Sequence, residues 1–401
     1  MIILFGSTGD LAKKKLCPAL YSLHKKGLID EEIVFVGRRD IDIEEYIELS
    51  GLSSFANDGG LMDFVKKAHY IKADIDKPNG EFKKLIEKIS FSDKVIYLAT
   101  ADNLFLKIIS FLDKEKVLDK KTRVAFEKPF GHDLKSAKEL DKKLGDYLEE
   151  EQIFRVDHYL GKDFVDEILN FRVSGKFEEK WNGNFIDNFQ ITISEDMGIE
   201  GRGEYYDKAG AIKDIVQSHM LQLLSLVAME RPKSDDLKSI RGSKFELLQR
   251  LEKVKKENCI VGQYEGYTED DEVTKGSKTE TFIAVKIFVD NPRWEEIPFY
   301  LKTGKKLDKK HTSVNVLMKD KSIVSFSAKG KDEAYQKIFS DLISGNKIRF
   351  VGNDEVDESW RFTDLLINVA KKSKLCIYEI GSRGPREADV LLKKDGRVWI
   401  N

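Results

Sequence analysis

The chain has 401 residues, 41% of them hydrophobic and 34% charged, more than one simple core holds, so two or three domains are expected. Its 68 Lys+Arg nearly cancel 70 Asp+Glu, which excludes a global field for nucleic acid or anionic lipid; any anionic ligand must be caught by a local site. Three scattered cysteines, Cys17, Cys259 and Cys376, have no metal-ligand spacing, so no metal site is expected and a reducing compartment is.

Residues 1–5 form a short apolar run, met at once by Gly6-Ser7-Thr8-Gly9-Asp10-Leu11. Leu16, Ala19, Leu20 and Leu23 then recur at helical spacing, with a kink expected at Pro18. A second buried strand follows at 32–37. Strand, glycine turn, helix and strand in this order predict the first half of a doubly wound nucleotide fold. Further strands are expected at 95–99 and 123–127, with a helix between them on Leu104, Ile108, Phe111 and Leu112. Residues 154–156 would close the parallel sheet. From about residue 185 the period changes to two, with Phe185, Asp187, Phe189, Ile191 and Ile193 on one side of a strand and similar runs at 281–289 and 313–318. The fold class is therefore an α/β Rossmann domain, residues 1–156, followed by an α+β domain with a large, mainly antiparallel sheet, residues 157–401. The start lacks the basic region and cleavage site of a signal peptide. The longest apolar run, 219–229, is interrupted by Gln222 and Ser225, so no membrane span is expected and the cytoplasm is the expected location.

The glycine turn suits a pyrophosphate. Glycines allow close backbone approach, and the helix N-terminus offers N–H groups and a positive dipole end. A two-glycine turn is common for chain geometry alone, so its place after the first strand carries the argument. The second strand ends in Arg38-Arg39-Asp40. Arginines there favour the 2′-phosphate of NADP, while Asp40 leaves NAD open.

Taken with Glu127-Lys128-Pro129-Phe130-Gly131 and Val156-Asp157-His158-Tyr159-Leu160-Gly161-Lys162, these features resemble the glucose-6-phosphate dehydrogenase family. Glu200-Gly201-Arg202-Gly203, the run from Asp214 to Gln222 and the tail from Tyr378 to Pro385 extend the match. It is thinnest over 40–90 and 310–335. The resemblance implies oxidation of D-glucose 6-phosphate at C1 to 6-phosphoglucono-δ-lactone, with a hydride passed to NAD(P)⁺, in a homodimer or homotetramer.

It also implies roles for particular residues. His219 falls on the family's proton acceptor, and Asp157 on the carboxylate that orients its ring and stabilises the imidazolium. Ile212, Val216, His219 and Leu223 also follow helical spacing, the pattern of a buried core histidine; the surrounding match decides for catalysis. His158, Tyr159 and Lys162 fall on the phosphate-binding positions. Glu195, Asp214 and Lys305 fall on contacts to the sugar, with Lys310 a looser basic match. Lys128 would lie between nicotinamide and sugar, before a proline that the family holds in cis.

The chain also departs from the family. Thr100-Ala101-Asp102-Asn103 stands where a Pro-Pro pair is usual, which bears on cofactor preference. The chain is short for the family, with much of the loss expected between Lys310 and Ala334, at the sheet edge used for pairing. The extra structural NADP site of some animal members is expected to be absent. Two other functions compete: a dehydrogenase of another hexose phosphate or of a free aldose, and a non-catalytic cofactor-binding assembly protein. Three phosphate donors oppose the free aldose. Retention of both Asp157 and His219 opposes the second.

Overall fold

The structure is a computed structural model describing residues 1–73, 93–330 and 333–400. The chain divides into two compact units. The first is Met1–Gly131, Lys135–Lys162 and Lys331–Gly352; the second is His132–Leu134, Asp163–Gly330 and Asn353–Asn401.

In chain order the first unit contributes β1 (Ile2–Phe5), β2 (Ile33–Gly37), β3 (Ala68–Lys72), β4 (Val95–Leu98), β5 (Arg123–Glu127) and β6 (Ile153–Val156). The second contributes β7 (Ile186–Ser194), β8 (Cys259–Tyr264), β9 (Phe282–Ile287), β10 (Phe299–Gly304), β11 (His311–Met318) and β12 (Ile323–Ser327). The chain then returns to the first unit for β13 (Phe350–Val351) and ends in the second with β14 (Leu375–Tyr378).

The first sheet runs β13-β6-β5-β4-β1-β2-β3, parallel throughout except that β13 lies antiparallel on β6. This is the doubly wound order, with the strand sequence reversing beside β1. Successive residues of β1 enter different cores: Ile2 and Leu4 pack on one side, Ile3 and Phe5 on the other. Both faces are covered, which is why these strands show as unbroken apolar runs. Strand β3 escaped the pattern because it is an outer strand with His69 and Lys72 exposed.

The strain expected at Pro18 is taken up just before it. Ala12–Leu16 is wound as a π-helix, and Pro18 stands in the first turn of the α-helix Cys17–Lys25. Widening the turn accommodates a residue that has no N–H to donate.

The expected single boundary after residue 156 differs from the observed division. The helix Ala334–Ser344 belongs to the first unit because Tyr335, Ile338, Phe339 and Leu342 are buried with Leu4, Phe35 and Tyr97. Phe350 packs edge-on against Phe154 at 4.8 Å. Apolar contact, not sequence proximity, assigns the segment.

The second sheet runs β12-β11-β7-β10-β9-β8-β14, with β7/β10 and β8/β14 parallel and the other pairs antiparallel. It is the large, mainly antiparallel sheet expected. It continues between Lys310 and Ala334 as β11 and β12. Strand β7 departs from half-burial: Asn188 and Gln190 are as buried as Phe189 and Ile191. The C-terminal segment covers that polar side, with Gln190 Nε2 donating to Val398 O at 2.9 Å and Ile400 N to Gln190 Oε1 at 2.8 Å. Among the described residues, no helix is long and apolar enough to cross a membrane.

Candidate active site

In the first unit the turn after β1 is built around Gly6, whose φ is 76°. A Cβ there would collide with the carbonyl oxygen of Ala99, at the end of β4. Gly6 N and Ser7 N both donate to Val36 O at 3.1 Å, and Gly9 N donates to Gly6 O at 3.0 Å. The loop is thus tied to β2 and followed by helix from Asp10 and Leu11. Two tyrosines outside any motif brace it. Tyr46 Oη donates to Ser7 O at 3.1 Å, and Tyr70 Oη donates to Arg39 O at 3.0 Å; their rings stack at 5.1 Å. Gly37 has space only for hydrogen, since a Cβ would stand 2.5 Å from Tyr70 Oη and 3.0 Å from Thr8 Cγ2. Arg38 and Arg39 are exposed beyond it. Asp40 is turned to Lys72, 2.7 Å away. Tight glycines and a helix start at the ends of parallel strands fit a dinucleotide.

At the end of β5, Lys128-Pro129 is a cis peptide. Just before it, Glu127 is buried, and the hydroxyls of Tyr97 and Tyr335 hold it. Burial pushes its carboxyl up to about 7, against those hydrogen bonds and the Lys128 charge. At the end of β6, Asp157 caps the turn His158–Gly161, with Oδ1 accepting from Tyr159 N at 2.9 Å. Lys162 lies over the Tyr159 ring at 4.9 Å, and His158 stacks on Tyr335 at 5.9 Å. Gly161 lets this turn lie against Ala334, whose carbonyl oxygen would be 2.6 Å from a Cβ. Lys128, Asp157, His158, Tyr159 and Lys162 therefore share the same sheet edge as the glycine turn, where parallel sheets present their ligand sites.

In the second unit β7 and β10 are parallel neighbours, with Ser194 opposite Gly304. The next residue on each is Glu195 and Lys305, and Glu195 N donates to Gly304 O at 3.0 Å. Lys305 Nζ lies 2.6 Å from Glu195 Oε2 and 3.8 Å from Asp214 Oδ2. The lysine is 2% exposed and lies over the Tyr206 ring at 5.0 Å. Asp214 and His219 both stand on Ile212–Met220, which is wound as a π-helix. A π-turn closes at i+5, so residues five apart approach a common face, as an α-helix would not allow. His219 is 1% exposed. Lys310 is exposed and makes no part of this cluster.

Sequence reasoning passed over the residue that starts this helix. Gly210 breaks the chain at φ 65°, ψ 177°. Glu280 Oε1 then accepts from Ile212 N at 3.1 Å, and its carbonyl from Ala211 N at 3.0 Å. Burial pushes this carboxyl up to about 7 as well. No local motif marks Glu280, Tyr46 or Tyr70, whose partners lie 31 to 68 residues away along the chain.

A doubly wound unit with this turn, joined in one chain to a carboxylate–lysine–histidine unit, defines a nicotinamide-dinucleotide-binding protein of the dehydrogenase class. The glucose-6-phosphate dehydrogenase NAD-binding domain matches residues 3–167, and the C-terminal domain matches 169–333 and 324–400. The chain belongs to the glucose-6-phosphate dehydrogenase family. It is 34% identical to glucose-6-phosphate 1-dehydrogenase of Bacillus subtilis, covering 100% of the chain and 98% of that protein. That alignment runs over 481 positions, more than the 401 residues present, so the relative carries insertions within it. A cytoplasmic enzyme of the same name from Arabidopsis thaliana is 33% identical over 100% of the chain and 93% of its own length. Among solved structures, the Mycobacterium avium enzyme superposes with a TM-score of 0.89 at 31% identity, over 100% of the chain and 98% of its own. A glucose-6-phosphate dehydrogenase bound to glucose-6-phosphate gives 0.90 at 28%, with the same coverage.

Proposed function

We propose that this chain is an NADP-preferring glucose-6-phosphate dehydrogenase of the cytoplasm, acting as a homodimer or homotetramer at the first step of the oxidative pentose phosphate pathway. It oxidises the C1 hydroxyl of D-glucose 6-phosphate to 6-phosphoglucono-δ-lactone. The observation that carries this reading is the buried lysine between two carboxylates, Lys305 with Glu195 and Asp214, on the unit that bears His219. A polyol needs donors and acceptors fixed together, and these three groups supply both.

In this reading His219 takes the C1 hydroxyl proton, and Asp157 is the carboxylate that stabilises the resulting imidazolium. The dinucleotide, when bound, supplies the two-electron acceptor for C1. His158, Tyr159 and Lys162 hold the sugar phosphate beside the turn that Asp157 caps. Glu195, Asp214 and Lys305 bind its hydroxyls, and Lys128 orients the sugar against the nicotinamide. Gly6, Ser7, Thr8, Gly9, Asp10 and Leu11 receive the pyrophosphate. Arg38 and Arg39 read the 2′-phosphate. The pairing of Asp40 with Lys72 supports NADP over NAD, because it neutralises the acid that would otherwise hold a free ribose hydroxyl.

Initial rates with glucose 6-phosphate, galactose 6-phosphate and glucose, each with NADP and with NAD, test this. Glucose 6-phosphate with NADP is expected to give the highest kcat/KM. A higher value with free glucose would overturn the assignment.

A further inference from the structure

Within the second unit lies a cavity of about 720 Å³ that none of the residues assigned above lines. Its size is that of a nucleotide-scale ligand site. Lys213, Lys278, Lys371 and Lys374 border it. Among the described residues none of these four forms an ion pair, whereas neighbouring Lys208 is paired with Glu204 at 2.7 Å.

The two acids at the cavity are outnumbered by those four lysines. Asp207 is already engaged by the hydroxyls of Tyr267 and Ser277 and by Thr274 N. Glu280 is committed to Ile212 N. Burial pushes Glu280 up to about 7, with Lys213 and Lys371 opposing, so near neutrality it offsets the rim only in part. Ile212, Val261, Ile367 and Leu375 form the apolar part of the lining, with Thr279 and Ser373 beside them. A net cationic rim over a partly apolar floor selects a ligand that is anionic at one end and organic at the other.

We propose that this cavity is a second anion site, taking an organic phosphate of nucleotide size, with its phosphates on the lysine rim and its organic body against Val261 and Ile367. The site lies wholly in the second unit, so it is separate from the dinucleotide turn on β1. The lysine ammoniums act as point charges, which tolerates several phosphate geometries.

The test is calorimetric titration of the full chain with magnesium-free ATP, comparing wild type with the double variant Lys371→Glu/Lys374→Glu. The double variant is expected to weaken ATP by about tenfold or more, as two reversed charges near a phosphate should. NADP affinity and the rate with glucose 6-phosphate are expected to stay unchanged. Lys162→Ala, in the first unit, is expected to leave this ATP binding in place. Tripolyphosphate is expected to bind more weakly than ATP, because it leaves the apolar floor uncovered; equal affinities would overturn the organic part of the proposal. Equal ATP affinity in wild type and double variant, including no binding by either, overturns the site.

Discussion

Lys305 holds Glu195 at 2.6 Å across two parallel strands whose hydrogen-bonded ends deliver both side chains to one place. Lys305→Met would bring Glu195 and Asp214 together without the cation between them. Glu195 is 34% exposed, so solvent moderates the cost, and a loss of about 1–3 kcal/mol is expected. Urea unfolding reads the stability and initial rates read the KM for glucose 6-phosphate, which should rise. An unchanged KM would remove Lys305 from the sugar site.

His219→Asn should lower kcat by ~10²–10⁴-fold, the usual contribution of a positioned base. Substrate affinity should change far less, because the asparagine keeps a hydrogen-bonding side chain but cannot take up the proton. Steady-state kinetics separate the two effects. A mutant that retains wild-type turnover would make His219 a core residue.

Gly6→Ala forces a Cβ onto the Ala99 carbonyl at a positive φ. The strain is worth about 1–3 kcal/mol. It falls on the backbone proposed to receive the pyrophosphate, so dinucleotide affinity should fall along with the melting temperature. Fluorescence titration with NADP and a thermal melt are the measurements. Full retention of both would show that the turn has room.

Arg38→Ala with Arg39→Ala should weaken NADP by about tenfold to a hundredfold, through loss of charge-assisted bonds. NAD, which lacks the 2′-phosphate, should be nearly unaffected. The ratio of kcat/KM for the two cofactors tests this. Parallel losses for both would mean that the arginines do not read that phosphate.

Glu127 ties stability to pH. Its folded-state carboxyl, raised by burial from 4.5 to about 7, holds a proton that the unfolded chain releases. Its contribution is therefore fully present below about pH 4.5 and is lost as pH rises through 7. Glu127→Gln imitates the protonated acid without titrating. Unfolding free energies across pH 5–8 should decline less steeply in this variant than in wild type. Identical slopes would contradict a raised carboxyl at this position.

Much of the first unit could be read from the chain because its signals are local. A parallel strand covered on both faces reads as a nearly unbroken apolar run, and a tight turn after it favours glycine where φ is positive. The edge strand Ala68–Lys72 carried no such signal, since only part of it is buried. In the second unit the alternation from Phe185 onward located a strand but carried no information on what covers its other side. Asn188 and Gln190 look solvent-facing in sequence and are buried, because the far end of the chain closes over them.

Propensity and spacing act over a few positions at a time, so the first glycine turn, the inner strands of the first unit and the chemically marked residues could be located from the chain alone. Tertiary structure alone decided which distant residues meet. It returned Ala334–Ser344 to the first core, set Glu195 and Lys305 side by side from 110 positions apart, and buried the carboxyls of Glu127 and Glu280. The cost of burying a charge is set by whatever the fold packs around it, and those neighbours come from remote parts of the chain.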